Sequence, residues 1–281
     1  MYKIMKKEAL GENIVLFEIL APQLAKKAQA GQFVIVRIAE KGERIPLTIA
    51  DYNREEGTIT IIFQEVGRTT KDMSLLHEGD NILDLVGPLG EPTQIANYGT
   101  VVCIGGGVGI APVYPIAREL KAAGNKVISI IGARCENLLF WPEKMAEVSD
   151  ELLIATDDGS VGEKGFVTDI FKKVMKRENI EQVWAIGPMV MMKAVAELTR
   201  PEKIKTIVSL NPIMVDGTGM CGCCRVQVGE ETKFACVDGP EFDAHLVDFD
   251  LASRRLAYYK EEEKRALEQK TCNNGGGCKC H

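Results

Sequence analysis

Long apolar runs are missing from this 281-residue chain: no stretch approaches the about 18 consecutive apolar residues that a membrane-spanning helix needs. A basic excess is missing too. Thirty-four Lys and Arg stand against 40 Asp and Glu, for a formal net charge of −6, and no basic cluster is large enough to mark a nucleic-acid face. The opening stretch MYKIMKKEALGENIVLFEIL has lysines but neither an apolar core nor a small-residue cleavage site, which predicts no signal or transit peptide. Histidine is scarce, at three residues. His77 and His245 have no partners at a recognisable spacing and are expected to be satisfied or solvated, and no Ser-His-Asp or Cys-His arrangement points to nucleophilic catalysis. With 46% apolar and 26% charged residues the disordered and fibrous classes are excluded. What the chain has is thiol. Its nine cysteines are odd in number and concentrated in two short segments, and without an export signal they predict metal-ligating thiolates in a cytoplasmic protein rather than disulfides.

The length exceeds one usual domain, and the pattern divides it into four segments. Residues 1–97 predict β structure: QFVIVRIAE and TITIIFQEV are strand-like, and turns such as EKGER, REEG and HEGDN separate the runs, as in a small antiparallel barrel. Residues 98–211 change period. Strands at TVVCIGG, KVISIIGA, ELLIAT, QVWAIG and KIKTIVSL alternate with helices, one of them near 137–148, which predicts a parallel, doubly wound α/β domain. Residues 212–250 are rich in glycine and cysteine and too few to hold a core unless a metal staples them. Residues 251–281 predict one charged surface helix with an apolar stripe at Leu256, Tyr259 and Leu267, then a loose tail, TCNNGGGCKCH, with a second metal site on Cys272, Cys278, Cys280 and His281 as the alternative.

In VVCIGGGVGIAP, Gly105, Gly106, Gly107 and Gly109 follow an apolar strand and precede a helix, with Pro112 in its first turn. Such a turn lets backbone N–H groups approach a diphosphate at the helix start. The match to G-x-G-x-x-G is partial, since Ile110 stands at the third glycine, and the alternative is a tight turn without a ligand. The strand ends GARCE, TDDGS and GPM converge on the same carboxyl edge of the sheet, where this architecture binds ligands. Asp157 and Asp158 read first as a strand-end turn that contacts a cofactor rather than as paired catalytic carboxylates.

Together these motifs resemble those of the ferredoxin reductase-like flavoproteins. RIPLTIAD (44–51) is similar to that family's flavin motif, and VGRTTKDM (66–73) to its diphosphate loop. The resemblance implies FAD, with Arg44 on the diphosphate, the strand through Pro46, Leu47, Thr48 and Ile49 lining the isoalloxazine, and Val66, Gly67, Thr69 and Thr70 cradling phosphate. It further implies NAD(H) bound by Gly105, Gly107, Val108 and Gly109, by Arg134 and Asp157, and by Gly187, Pro188 and Met189, with GPLG (87–90) bridging the domains. Arg134 suits a 2′-phosphate and Glu136 suits ribose hydroxyls, so only the resemblance favours NAD over NADP.

Within this family the electron-transfer subunits of dihydroorotate dehydrogenase carry a C-terminal 2Fe-2S cluster on Cys-x4-Cys-x2-Cys and a later Cys. Here Cys221, Cys224 and Cys236 occupy the last three places and Asp216 the first. Either Asp216 is the fourth ligand or Cys223 replaces it; Asp216 is preferred, because Cys223 would put adjacent residues on one cluster. An aspartate with three cysteines resembles the small subunits of bifurcating NADH-dependent ferredoxin:NADP oxidoreductases. That implies a larger partner subunit with flavin and 4Fe-4S clusters, and through it ferredoxin and NADP(H). The alternatives are an electron-transfer subunit of dihydroorotate dehydrogenase or sulfide dehydrogenase and, in another class, a zinc-stapled binding module using the same four residues. No catalytic acid or base is expected, since the cofactors carry the chemistry.

Overall fold

The computed structural model describes the backbone of residues 1–274 and side chains through residue 268. Cys278, Cys280, His281 and the side chain of Cys272 therefore lie outside the described residues.

The first sheet is wholly antiparallel. Its strands are β1 (Tyr2–Gly11), β2 (Ile14–Leu20), β3 (Phe33–Arg37), β4 (Ile45–Asn53), β5 (Thr58–Gln64), β6 (Asn81–Ile82) and β7 (Asp84–Leu89), with helices α1 (Pro22–Lys27) and α2 (Arg68–Met73) between them. The order β6-β1-β2-β5-β4-β3-β7 puts β6 and β7, consecutive in the chain, at its two ends, so the sheet curls into a nearly closed barrel. Phe17, Ile19, Ile49, Ile59, Ile61 and Phe63 fill its interior. GPLG belongs to β7 and the bend after it, not to the bridge; the connector is the coil that follows, up to the next strand.

The second sheet has five parallel strands, β8 (Thr100–Gly106), β9 (Lys126–Ala133), β10 (Glu151–Thr156), β12 (Gln182–Ile186) and β13 (Lys205–Ser209), in the order β10-β9-β8-β12-β13. Short β11 (Glu163–Lys164) extends the β10 edge. Helices α3 (Ile110–Ala122), α4 (Pro142–Glu147), α5 (Val167–Arg177) and α6 (Met189–Thr199) connect the strands. In α5 the apolar positions Val167, Ile170, Phe171 and Val174 follow helical spacing and are buried, and Asp169 accepts the Phe166 N–H at 3.2 Å to close the N-terminus. Each such side chain contributes about 1.5–3 kcal/mol. The helix expected near 137–148 is shorter: a 3-10 turn at Glu136–Leu138 precedes α4.

The cysteine-rich segment has no core of its own and packs into a core shared with both other segments. It forms a hairpin, β14 (Arg225–Val228) and β15 (Glu231–Phe234), and then β16 (Glu241–Asp243), which adds antiparallel to β13 at the edge of the parallel sheet. Met214, Val226, Ala235, Phe242 and Val247 share one buried cluster with Phe33 and Ile35 of the barrel and Val183 and Val208 of the second sheet. The predicted terminal helix is two, α7 (Phe249–Leu256) and α8 (Lys260–Asn274). Tyr259 lies in the break between them, 57% exposed, and is not part of an apolar stripe. Helix α8 reaches α2.

Candidate functional site

The glycine turn after β8 has a separate reason at each position. A Cβ on Gly105 would meet Ile110 at 3.0 Å, on Gly106 the Met191 sulfur at 2.5 Å, and on Gly109 the Ile186 carbonyl at 2.1 Å. Gly107 is different: its φ is +56° and nothing lies within 4 Å of its Cβ position, so it is glycine for its backbone conformation and leaves an open surface. Val108 beside it is 38% exposed. Across the carboxyl edge, Gly187 approaches Gly106 so closely that a Cβ would sit 3.0 Å from the Gly106 carbonyl, and half-buried Met189 starts α6 beside exposed Pro188. Arg134 and Asp157 are both exposed there. The ends of β9 and β10 are joined by Asp157 N–H to Ala133 O at 3.1 Å and Asp158 N–H to Arg134 O at 3.2 Å, which places them in one crevice. The open turn and its converging edges fit a dinucleotide.

This crevice faces the barrel. Helix α3 packs on β4, the 3-10 turn Gly107–Gly109 touches β5, and Ala50 and Ile62 join Ile110, Ala111 and Tyr114 in one core. Along β4, Pro46, Leu47 and Thr48 are half-buried opposite Ile35, Val34 and Phe33, and Ile49 is fully buried. Gly67 before α2 leaves its Cβ position open apart from Thr70 Oγ1 at 4.0 Å. The Thr70 hydroxyl takes the Val66 and Gly67 N–H groups at 3.1 and 3.0 Å, and Thr69 bonds Glu43, so both hydroxyls and both of these N–H groups are locally engaged.

On the other side the barrel meets the cysteine loop. A Cβ on Gly217, whose φ is +79°, would strike Leu89 of β7 at 2.6 Å and Ile35 of β3 at 3.1 Å. The guanidinium of Arg44, expected on a flavin diphosphate, donates from Nε to the Val215 carbonyl at 2.6 Å and so links the flavin-motif strand to the residue before Asp216.

Cys103, Cys135, Cys221, Cys223, Cys224 and Cys236 are all free thiols. The Cys224 and Cys236 sulfurs, both buried, are 3.2 Å apart. Asp216 accepts from the backbone N–H of Thr218 and of Cys221, each at 2.9 Å, and these bonds hold its carboxyl below the usual range. Backbone hydrogen bonding from Cys223 lowers the Cys221 thiol, whereas burial pushes Cys236 up to about 12. Cys223 approaches the Cys221 carbonyl at 4.0 Å, and its interaction with the Cys221 thiol raises it. The expected ligands thus form two neighbouring pairs, Asp216 with Cys221 and Cys224 with Cys236. Among the described residues no three His, Cys, Asp or Glu side chains converge to hold a single metal ion. A tetrahedral zinc needs four donors around one point, whereas a two-iron cluster takes its protein ligands in pairs, one pair to each iron. Two buried thiols in contact also cannot both ionise without a cation between them. The donor set fits the cluster better than zinc.

Residues 103–197 match the oxidoreductase NAD-binding domain, and residues 211–248 match the iron-sulfur cluster binding domain of dihydroorotate dehydrogenase B. A dihydroorotate dehydrogenase B (NAD(+)) electron transfer subunit homolog of Thermotoga maritima is 51% identical over 267 residues, 95% of this chain and 94% of the relative. The chain belongs to the family of dihydroorotate dehydrogenase B electron-transfer subunits. It is therefore an oxidoreductase subunit. The electron-transfer subunit of Fusobacterium nucleatum is more distant, 32% identical over 78% of this chain and 87% of the relative. Within the wider family, a solved structure of the NADH-dependent reduced ferredoxin-NADP oxidoreductase, a subject of flavin-based electron bifurcation, superposes with TM-score 0.92 and 49% identity over 96% of this chain and 98% of that one. Phthalate dioxygenase reductase, at 20% identity and TM-score 0.61, shares the fold.

Three side chains that touch this region carry no local sequence signal: Arg225 and Arg255, which bond the cysteine loop, and Glu241, buried where the segments meet.

Proposed function

We infer that this chain is the NAD(H)-linked electron-transfer subunit of a bifurcating ferredoxin:NADP oxidoreductase. It exchanges electrons with a larger partner subunit that carries its own flavin and 4Fe-4S clusters and handles NADP(H) and ferredoxin. The observation that carries this reading is the placement of the flavin-motif barrel between the open glycine turn on one side and, through the Arg44–Val215 bond, the cysteine loop on the other. When bound, NAD(H) and FAD supply hydride exchange and a 2Fe-2S cluster supplies one-electron transfer.

The protein's share is position. The strand Pro46–Thr48 offers a half-buried face for a flavin ring with Ile49 buried behind it, and Arg44 offers a cation for its diphosphate beside the Val66–Thr70 turn, whose Val66 and Gly67 N–H groups are closed by Thr70. The Gly105–Gly109 turn, the Gly187–Met189 turn, Arg134 and Asp157 surround the crevice for NAD(H). Asp216, Cys221, Cys224 and Cys236 would hold the cluster, as two neighbouring pairs. The free thiols are in keeping with a cytoplasmic setting. Among the described residues no helix is long and apolar enough to cross a membrane.

The test is the visible spectrum of the anaerobically purified chain before and after NADH. Flavin bands with a broad iron-sulfur shoulder, both bleaching on addition, are the expected result; a colourless chain, or a flavin that NADH leaves oxidised, would overturn the reading.

A further inference from the structure

Three guanidinium groups grip the carbonyls of the cysteine loop. Arg44, just before β4, donates to Val215 O at 2.6 Å, Arg225 at the start of β14 to Gly222 O at 2.9 Å, and Arg255 of α7 to Cys223 O at 3.2 Å. Arg44 and Arg255 are 171 and 32 positions from their acceptors, so those two contacts are tertiary. In a trans peptide the carbonyl of one residue and the N–H of the next point in opposite directions. The only cis bonds among the described residues are Gly87–Pro88 and Gly239–Pro240. Holding the carbonyls of 215, 222 and 223 outward therefore turns the N–H groups of Asp216, Cys223 and Cys224 to the opposite side of the loop.

We propose that Arg225 and Arg255, together with Arg44, are positioning residues that raise the reduction potential of the centre held by this loop. They do so by adding fixed positive charge beside it and by aiming backbone N–H groups at its sulfurs. The proposal rests on the 2Fe-2S reading above. One-electron reduction adds a negative charge to a centre that thiolates and a carboxylate already make anionic, so nearby cations and N–H donors favour the reduced form. Arg225 is exposed and its charge is partly screened, whereas half-buried Arg255 is screened less. Arg255 is accordingly expected to have the larger effect. Arg44 is also the expected partner of the flavin diphosphate, so the two other arginines give the cleaner test.

The measurement is a redox titration of the full purified chain, followed by the electron paramagnetic resonance signal of the reduced cluster, with iron and sulfide counted in the same samples. In Arg255→Gln the midpoint is expected to fall, by up to about tenfold in the reduced-to-oxidised ratio at fixed potential, or ~59 mV. Arg225→Gln should shift it less, and Arg255→Lys should recover much of the loss because it keeps the charge. Loss of iron from Arg255→Gln but not from Arg255→Lys would equally support the positioning role. A wild-type midpoint in iron-replete Arg255→Gln and Arg225→Gln would overturn the proposal and leave the cluster assignment standing. A wild-type chain without iron or sulfide would overturn the cluster assignment itself.

Discussion

Glu241 is the residue whose environment contradicts its chemistry most. It sits on β16, with Oε1 accepting the Thr93 hydroxyl at 2.6 Å and Oε2 accepting the Trp184 indole N–H at 3.3 Å, and it joins the connector, the parallel sheet and the cysteine-rich segment. Burial pushes its carboxyl up to about 7 from an ordinary value of 4.5, against the effect of those two bonds. The coupled neighbours Tyr98 and Cys103 are both raised by burial, away from this range. Between about 4.5 and about 7 the folded chain binds more protons than the unfolded one, so stability falls as pH rises through that window and levels off above it. Glu241→Gln keeps the shape and both partners without the charge. It should flatten this dependence and stabilise the chain at pH 8 by on the order of 3 kcal/mol relative to wild type. Urea unfolding at pH 5 and pH 8 checks it, and parallel profiles for the two proteins would refute it. None of this was legible in the sequence, because Thr93 and Trp184 are 148 and 57 positions away from Glu241. The thiols were legible because Asp216, Cys221 and Cys224 are close in sequence and their spacing is itself the signal.

At the scale of elements, the joint between barrel and parallel sheet is polar at its rim. Arg118 of α3 pairs with Asp51 of β4 at 2.5 Å and lies over the Tyr52 and Tyr114 rings, while Lys144 of α4 approaches Asp51 at 3.8 Å. The Arg118 and Asp51 side chains are 28% and 22% exposed, so the pair is partly screened. A coupling of about 1 kcal/mol is expected. A double-mutant cycle of Arg118→Ala with Asp51→Ala by thermal unfolding should return that coupling, and strictly additive losses would show the contact to be incidental. Strands β8, β9, β10, β12 and β13 and helix α5 were readable from pattern, since their apolar spacing matches the faces they bury. The α7–α8 break was not. Residues 257–259 contain no glycine or proline, and the charged sequence runs on through Lys260; only the acidic first turn of α8, Glu261–Glu263, marks a new helix start.

At the scale of the whole molecule, the sequence suggested a small metal-stapled unit at 212–250, and the fold replaces that with shared packing. Counting residues could not reveal this, because the core that Val226, Phe242 and Val247 join is supplied by Phe33, Ile35, Val183 and Val208 elsewhere in the chain. The difference has a measurable consequence. Were the metal the staple, its removal would unfold the whole segment, as in domains where metal binding and folding are one equilibrium. With β16 paired to β13 and the hairpin β14–β15 backed by that shared core, removal should release only the loop that carries the ligands. Hydrogen exchange of the purified chain before and after chelation under reducing conditions is expected to show lost protection at residues 215–223 and unchanged protection through β14, β15 and β16. Loss of protection across β16 as well would mean that the metal, and not the shared core, holds the segment to the parallel sheet.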